Sequence, residues 1–311
     1  MNAIIYCVAW TLIRSLQALP LPWVARAGRA AGALAYFLDL RHRRVAIKNL
    51  TQCFGREMTG REIRDLAREN FRRIGENYCC AVKTAAMPWE KLRRHVKFMG
   101  ETVVSESGGG TPPSAIIAVG HFGNFELYAR LGDHNPNIQG ATTYRALHPE
   151  ALNKLLQSLR AKSRCIYFER RTELTALQAW MSPEGRMLGF LCDQHAGRSG
   201  VRAPFFGVDC ATTAAPAVFA LRYNQPLFIG ICYRTSLAQW VVEFSGPIAT
   251  HEGGRARSVE EIIRDVNQAF EAAVRRDPAN WFWVHNRWKP DKLPAPRSQR
   301  PKEPAPARVG S

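Results

Sequence analysis

The spacing of apolar and polar residues predicts that the first hundred residues of the chain are helical. Thr59 and Glu62 mark a capping box, and the apolar positions after it recur at helical spacing as far as Pro88. Two apolar segments precede this helix. Residues 3–19 carry a helical stripe interrupted by Arg14, and residues 24–38 are rich in alanine and glycine. This part of the chain is therefore predicted to be a series of helices.

Beyond residue 100 the pattern changes to short apolar runs that predict buried strands. These runs are rich in β-branched and aromatic residues, as is typical of strands covered on both faces. They lie at residues 115–119, 141–144, 165–168, 187–192, 227–233 and 240–244. Helical patterns lie between or after them, at residues 149–163, 173–181 and 258–276. Alternating strands and helices predict an α/β domain with a largely parallel sheet.

The pattern divides the chain into three parts. Residues 1–22 form a candidate membrane-associating helix, and residues 23–289 form a single domain with a helical part, 23–100, and an α/β core, 101–289. Within that core, the glycine-rich residues 105–114 predict a loop before the first strand. The last 22 residues, 290–311, contain six prolines and no aromatic residue. Such a composition buries too little apolar surface to fold, so we expect a disordered basic tail.

The apolar run at residues 3–13 is too short to cross a bilayer, which needs about 20 apolar residues. It also lacks the preceding positive charge and the small-x-small cleavage site of a secretory signal. Its stripe fits a helix that lies in the membrane interface with Trp10 at headgroup depth, and equally a helix packed on the protein's own core. The stripe consists of Ile5, Val8, Leu12, Leu16 and Leu19.

The second apolar segment and the charge after it favour contact with an anionic surface. Gly28 and Gly32 are spaced for close helix packing, and the basic tetrapeptide RHRR follows at residues 41–44. The whole chain has 43 basic and 26 acidic residues, a net charge of +17, and the first hundred residues hold 18 basic and 7 acidic ones. This balance predicts a negatively charged partner, either membrane headgroups or nucleic acid.

The candidate catalytic residues lie in the heptapeptide GHFGNFE, residues 120–126, directly after a predicted strand. Ligands of open α/β sheets bind at the carboxyl ends of strands. His121 falls in the turn and Glu126 in the first helical turn, so we expect the carboxylate to reach back to the imidazole and the imidazole to act as a general base. Spacing alone favours a structural histidine hydrogen-bonded near a helix end.

The sequence lacks the signatures of other common reaction classes. It contains no G-x-S-x-G nucleophile elbow, no Walker A loop and no G-x-G-x-x-G after a strand. The eight cysteines form no C-x-x-C pair and have no histidine at zinc-ligand spacing, which indicates reduced thiols in a cytosolic compartment and no metal site. A base without an enzyme nucleophile implies direct transfer to an acceptor on the substrate.

At this point the chain resembles the bacterial lipid A biosynthesis (lauroyl/myristoyl) acyltransferases, within the lysophospholipid acyltransferase-like superfamily and its His-x4-Asp/Glu motif. The similar stretches run in the family's order from about residue 20 to residue 289. One departure is His195-Ala196, where relatives often have Asp-Pro. The stretches are RVAIKNL at 44–50 with Cys53-Phe54, GHFGNFE at 120–126, Tyr144-Arg145, Leu159-Arg160, Asp193-Gln194 with Gly197, PFFG at 204–207 with Thr212-Thr213 and Pro216, and WFWVHNRW at 281–288.

The resemblance implies roles for particular residues. His121 and Glu126 correspond to the catalytic dyad, and Arg160 corresponds to a functionally important arginine on the following helix. Asp193, which follows a predicted strand, and Asn124 are implied to support the substrate or the transition state. Asp193 could otherwise be a helix or turn cap. Arg145, also at a strand end, could bind a phosphate through its planar guanidinium.

The resemblance also implies the reaction and its partners. The expected enzyme transfers a fatty acyl chain from acyl carrier protein to a phosphorylated glycolipid at the cytoplasmic face of the bacterial inner membrane, with no cofactor and no nucleic acid. An anionic leaflet, the acidic carrier and the phosphorylated acceptor would all suit a basic protein. Transfer to another glycolipid, such as a phosphatidylinositol mannoside, and a non-catalytic membrane or nucleic-acid binder are the alternatives. The chain lacks helix-turn-helix, zinc-finger and RNP-type motifs, which weakens the nucleic-acid alternative.

Overall fold

The computed structural model describes residues 2–100, 114–181 and 185–290. The proline-rich tail beyond residue 290 and most of the predicted loop at 105–114 lie outside these ranges. The helical first part is confirmed, and α4 begins with the expected capping box, in which the Thr59 hydroxyl accepts from the backbone N–H of Glu62. The helices are α1 (Asn2–Ala18), α2 (Leu21–Leu38), α3 (Leu40–Phe54), α4 (Gly60–Ala85) and the short α5 (Trp89–Leu92).

A seven-stranded sheet forms the centre of the second part and confirms the α/β prediction. Its strand order is β1-β9-β8-β2-β5-β3-β4, and all neighbours are parallel except the antiparallel pair β8 and β9. The strands are β1 (Val96–Met99), β2 (Ala115–Val119), β3 (Gln139–Tyr144), β4 (Ile166–Glu169), β5 (Arg186–Leu191), β8 (Leu227–Ser236) and β9 (Gln239–Ile248). A separate hairpin consists of β6 (Val201–Phe205) and β7 (Val208–Thr212), and a second small one of β10 (His251–Glu252) and β11 (Arg255–Ala256).

The connecting helices lie on both faces of the sheet. They are α6 (Leu131–His134), α7 (Glu150–Arg160), α8 (Leu174–Trp180), α9 (Ala215–Arg222) and α10 (Val259–Arg276), with 3₁₀ turns at Phe125–Arg130, Gly197–Ser199 and Pro278–Asn280. Alternate residues of β2 enter two separate cores: Ile116 and Ala118 join one, and Ile117 and Val119 join the other. A strand that is buried on both faces needs an unbroken apolar sequence, which explains the run at 115–119.

The prediction that the helical part extends to residue 100 is wrong at its end, because Val96–Met99 forms strand β1. Val96 and Phe98 are buried while Lys97 and Met99 are exposed, so the strand alternates. Four residues are too few to establish a period of two against the helices before them. The pairing of β1 with β9, more than 140 residues further along the chain, decides this segment.

Three glycines allow α2 and α4 to pack with their backbones in close contact. A Cβ added at Gly28 would meet Gly75 of α4, and one added at Gly32 would meet the carbonyl oxygen of Phe71. The small-residue spacing of the second apolar segment is therefore used to pack this helix on α4. The opposite face of α2 is exposed.

Gly32→Leu is expected to lower the free energy of unfolding by about 2 kcal/mol, because the added side chain must push two backbones apart. The urea midpoint of the purified variant measures the loss. Ala30→Leu, at an exposed position of the same helix, is the matched control and should leave the midpoint near that of the unsubstituted chain. Equal midpoints for the two variants would contradict close packing at Gly32.

Candidate active site

His121 lies in a tight turn at the carboxyl end of β2. Gly123 has a φ of +53°, and a Cβ there would meet the carbonyl oxygen of Cys232 on β8. A glycine at this position therefore lets the chain turn sharply against the neighbouring strand. The 3₁₀ turn Phe125–Arg130 follows, and His121 is left facing the cavities above the sheet with only 16% of its side chain exposed.

Asp193 meets His121 because their two strands are parallel neighbours in register. Val119 pairs with Leu191, and each functional residue lies two positions beyond its partner in that pair. The Nδ1 atom of His121 lies 2.7 Å from Oδ1 of Asp193, and the backbone N–H of His121 donates to Oδ2 at 2.9 Å. Asp193 is 1% exposed. The two residues thus form a buried imidazole–carboxylate pair at the carboxyl edge of the sheet.

Asp193 stays ionised although it is buried. Burial acts to raise its pKa, but the attraction to His121 and the hydrogen bonds from His121 and Trp281 outweigh burial and hold the pKa below its usual range. The indole N–H of Trp281 donates to Oδ2 at 2.8 Å. A carboxylate fixed in this way holds the proton of His121 on Nδ1, so Nε2 is the nitrogen left to accept a proton.

The structure does not join Glu126 to His121, and this expectation of the sequence is wrong. Among the described residues, Glu126 accepts two hydrogen bonds from the guanidinium of Arg160, at 2.6 Å and 3.3 Å. The guanidinium of Arg160 also lies over the ring of Tyr167, 4.8 Å from its centroid. The tight turn and the 3₁₀ geometry direct the Glu126 side chain towards the end of α7, where a charged partner is already in place.

His121 lines an apolar cavity of about 360 Å³. Its walls come from α4, from the 3₁₀ turn after His121, from α7 and from the segment around Trp281. Glu126 and Arg160 are among its polar lining residues. The apolar part is lined by Ile74, Tyr78, Ala81, Val82, Phe125, Leu156, Leu159 and Phe282.

A larger and more polar cavity of about 770 Å³ adjoins the apolar one, and both are lined by His121, Phe125 and Arg160. Arg145 and Arg170 follow the ends of the parallel neighbours β3 and β4, and Arg171 comes next; all three are exposed. His285 also lines this cavity, and burial lowers the pKa of its imidazole to about 4, so it is neutral at pH 7. Glu169 and Glu173 also line this cavity, so its basic rim at Arg145, Arg170 and Arg171 is partly balanced by two carboxylates.

Asn124 is buried beside the apolar cavity rather than exposed in the turn. Its amide N–H donates to the hydroxyl of Thr84 at 3.3 Å, and its amide oxygen has no hydrogen-bond partner in the described part of the chain. The sequence-predicted residues thus fall into two groups. His121, Asn124, Glu126 and Arg160 line the apolar cavity, and Asp193 is bonded to His121. Arg145 lines only the larger cavity, where it is exposed.

The segment around Trp281 is the main part of the site that sequence reasoning missed. Its backbone runs beside the His121 turn, where Phe122 and Trp281 form a bridge. Two buried asparagines hold it: the Asn70 amide donates to the carbonyls of Ala279 and Trp281, and the Asn49 amide donates to those of Trp283 and His285. Residues 281–288 stand out in the sequence only through the family resemblance, because an indole donor 88 residues from Asp193 leaves no local pattern.

Arg287 holds the backbone that directly follows Asp193. It is fully buried, and its guanidinium donates to the carbonyls of Gln194 and Ala211 and to the hydroxyl of Thr212. Gln194 directly follows Asp193, so these bonds fix the backbone that carries the carboxylate. Trp281 and Arg287 are therefore positioning residues for the imidazole–carboxylate pair.

Trp281→Phe is expected to lower turnover by about 10-fold with little change in KM, because it removes one hydrogen bond to a charged group and keeps the ring packing. Trp283→Phe is the matched control, since its indole N–H donates to the carbonyl of Pro278 and not to Asp193. Steady-state kinetics of both variants measure the difference. Equal turnover in the two variants would show that the indole N–H does not position Asp193.

The other reactive groups near His121 do not suggest a covalent route. Burial raises the pKa of the Cys165 thiol, beside Tyr167, to about 12, so it is not a thiolate at neutral pH. The eight cysteines form no disulfide. Among residues 2–100, 114–181 and 185–290, no three histidine, cysteine or carboxylate side chains cluster as a metal site would require.

The fold and the site together define an α/β protein with a His–Asp pair at the carboxyl edge of its sheet, where the histidine lines an apolar and a more polar cavity. The model of the bacterial lipid A biosynthesis acyltransferase family matches residues 2–290, and the chain belongs to this family.

Named relatives share about a quarter of their residues with the chain over most of its length. The chain is 26% identical over 288 residues to a "Lipid A biosynthesis acyltransferase" of Haemophilus influenzae, an alignment that covers 89% of this chain and 87% of the relative. It is 24% identical over 299 residues to the "Lipid A biosynthesis lauroyltransferase" of Escherichia coli, with 93% and 92% covered. A "Lipid A biosynthesis palmitoleoyltransferase" of the same species is 26% identical over 278 residues, with 87% and 86% covered.

Proposed function

We propose that this protein transfers a fatty acyl chain from an acyl carrier protein thioester to a hydroxyl of a lipid A precursor. The observation that carries the proposal is the His121–Asp193 pair, whose histidine lines both an apolar cavity and a larger, more polar one. The names of the relatives support the acceptor class.

His121 acts as the general base through Nε2. As the acceptor hydroxyl attacks the thioester carbonyl, its proton moves to Nε2, and the Asp193 carboxylate stabilises the imidazolium that forms. Collapse of the tetrahedral intermediate expels the carrier's thiolate, which takes the proton from His121. The products are an acyl ester and a free thiol, and His121 returns to its starting state.

The two cavities receive the two substrates. The apolar cavity accommodates part of the acyl chain, and the basic rim at Arg145, Arg170 and Arg171 faces the anionic groups of the acceptor. Arg160 lines both cavities and is held by Glu126, so its guanidinium is the cation that stabilises the oxyanion formed from the thioester carbonyl. Asn124 offers its unpartnered amide oxygen to the substrate from the wall of the apolar cavity.

The reaction takes place at the cytoplasmic face of the inner membrane. Much of α1 is exposed and apolar, with Val8 63% and Leu12 59% exposed, which supports the interfacial interpretation over burial in the core. Among the described residues, no helix has the length and apolarity that a membrane span needs.

Mass spectrometry of lipid A tests the proposed acceptor. A deletion strain should lack one acyl chain that returns when the gene is restored, and restoration with the His121→Ala variant should not return it. Unchanged lipid A in the deletion strain, with a change in another glycolipid, would contradict the acceptor.

A second experiment tests the donor. The purified protein is supplied with acyl carrier protein or with coenzyme A, each carrying the same acyl chain, and the acylated product is measured. Both donors are anionic, but we expect the carrier thioester to be the better donor, because an acidic protein presents its charge over a larger surface to this basic chain than coenzyme A does. Equal or better use of the coenzyme A thioester would contradict the proposed donor.

A further inference from the structure

Most of the exposed apolar surface of the protein lies on one side of its helical part. Of the 18 large apolar side chains exposed in the described residues, 11 lie between residues 5 and 40. Six of these belong to α1 and the residue after it. The other five lie on α2 and at the α2–α3 corner: Trp23, Leu34, Phe37, Leu38 and Leu40.

Helix α2 is apolar on two opposite faces. Its inner face, with Val24, Gly28 and Gly32, is buried against α4. On its outer face Trp23 is 65% exposed, Leu34 58% and Leu38 72%, and the exposed residues between them are mostly alanines. A surface helix ordinarily carries charged and polar residues on its outer face. A contiguous exposed apolar patch of this kind marks an interaction site.

The surroundings of this patch are basic. Arg26, Arg41, Arg44 and Lys48 are exposed on α2 and α3, and Asp39 is the single acidic residue in the sequence before Glu57. The Asp39 carboxylate accepts from the backbone N–H of His42, at the start of α3, and lies against its imidazole. A second copy of the chain on this face would bring two basic rims together, whereas an anionic bilayer complements both the apolar centre and the rim.

We propose that the outer α2 face and the α2–α3 corner dock on an anionic lipid bilayer. Trp23, Leu34, Phe37, Leu38 and Leu40 enter the boundary between headgroups and acyl chains, and Arg41 and Arg44 contact the headgroup phosphates. This surface is additional to α1 and does not depend on the proposed reaction. The inner face of α2 packs on α4, which lines the apolar cavity.

Co-sedimentation of the full chain with vesicles tests the proposal. The probes are vesicles of phosphatidylethanolamine with phosphatidylglycerol, and vesicles of phosphatidylcholine alone. The variant Leu34→Gln/Phe37→Gln/Leu38→Gln should bind the anionic vesicles about 10²-fold more weakly, because three apolar side chains no longer gain from burial. The control Val208→Gln/Val218→Gln changes exposed apolar residues elsewhere and should bind normally.

A second variant tests the basic residues around the apolar patch of α2. Arg41→Gln/Arg44→Gln should reduce the preference for anionic over neutral vesicles by about 10-fold, since each cation near the surface contributes to this preference. Binding of the Leu34/Phe37/Leu38 variant at the level of the unsubstituted chain would overturn the proposal.

A photocrosslinker placed in the patch identifies the molecule that binds there, while the other apolar side chains of the patch stay unchanged. Benzoylphenylalanine at position 37 of the full chain should form adducts with lipid when vesicles are present, and the same group at position 218 should not. An adduct between two protein chains at position 37 would overturn the proposal in favour of a dimer.

Turnover of the Leu34/Phe37/Leu38 variant in detergent micelles should stay within a few-fold of normal, so failed docking is distinguishable from failure of the proposed acyl transfer.

Discussion

His121→Ala is expected to lower the turnover of acyl transfer by about 10²–10⁴-fold. The acceptor hydroxyl is a weak nucleophile until its proton is removed; His121 lines both cavities, and Nε2 is its ring nitrogen that is not bonded to Asp193. The carboxylate of Asp193 is hydrogen-bonded to Nδ1, and this bond holds the ring in the orientation that proton transfer requires. Turnover is measured as acyl ester formed by the purified variant with a saturating donor thioester.

The control for this variant is His251→Ala, which removes an exposed imidazole from the small hairpin β10–β11. It should retain normal turnover. Thermal unfolding of both variants checks that the fold is intact, because replacing His121 removes one bond to Asp193 and little apolar burial. Normal turnover in a folded His121→Ala protein would rule out the imidazole as the base.

Asp193→Asn is expected to lower turnover by about 10³–10⁴-fold, and by far more than Glu126→Gln. The backbone N–H of His121 and the indole N–H of Trp281 both donate to Oδ2 of Asp193, so the amide oxygen of an asparagine takes that place. Its NH₂ group then faces Nδ1 and forces the imidazole proton onto Nε2. In that tautomer Nε2 cannot accept the proton of the acceptor hydroxyl.

Glu126→Gln is expected to have a smaller effect, because it loosens Arg160 and leaves the His121–Asp193 pair unchanged. Asp265→Asn, which changes a carboxylate that pairs with Arg257 away from the site, is the neutral control. The order of the three turnover numbers decides whether Asp193 or Glu126 is the catalytic partner of His121. A larger loss for Glu126→Gln than for Asp193→Asn would restore Glu126 as the partner of His121.

Asp193 makes the stability of the folded protein depend on pH, with a sign that follows from its lowered pKa. Its pKa in the folded protein lies below the unfolded value, so its ionisation contributes stability at pH values above the usual carboxyl range. That contribution is lost as the pH falls through the lowered pKa. The stability difference between the unsubstituted protein and Asp193→Asn should therefore be present at neutral pH and shrink in acid, as urea unfolding at several pH values would measure.

Much of the fold could be predicted because its signals are local. The capping boxes at Thr59 and Ser258 start α4 and α10 where the sequence indicates, since a hydroxyl and a carboxylate three residues apart satisfy the first N–H groups of a helix. Strand β2 follows from its unbroken apolar run, because both of its faces are covered. Strand β1 could not be predicted, since its partner β9 lies in a distant part of the chain.

The sequence by itself determined which residue types stand at the ends of the strands, and therefore that His121, Asp193 and Arg145 belong to one edge of the sheet. Only the tertiary structure decided which carboxylate serves the imidazole. Spacing along the chain favours Glu126, five residues from His121, but a tight turn directs that side chain to Arg160. The register of two parallel strands brings Asp193 to Nδ1 instead, and register is a property of long-range packing that no local pattern encodes.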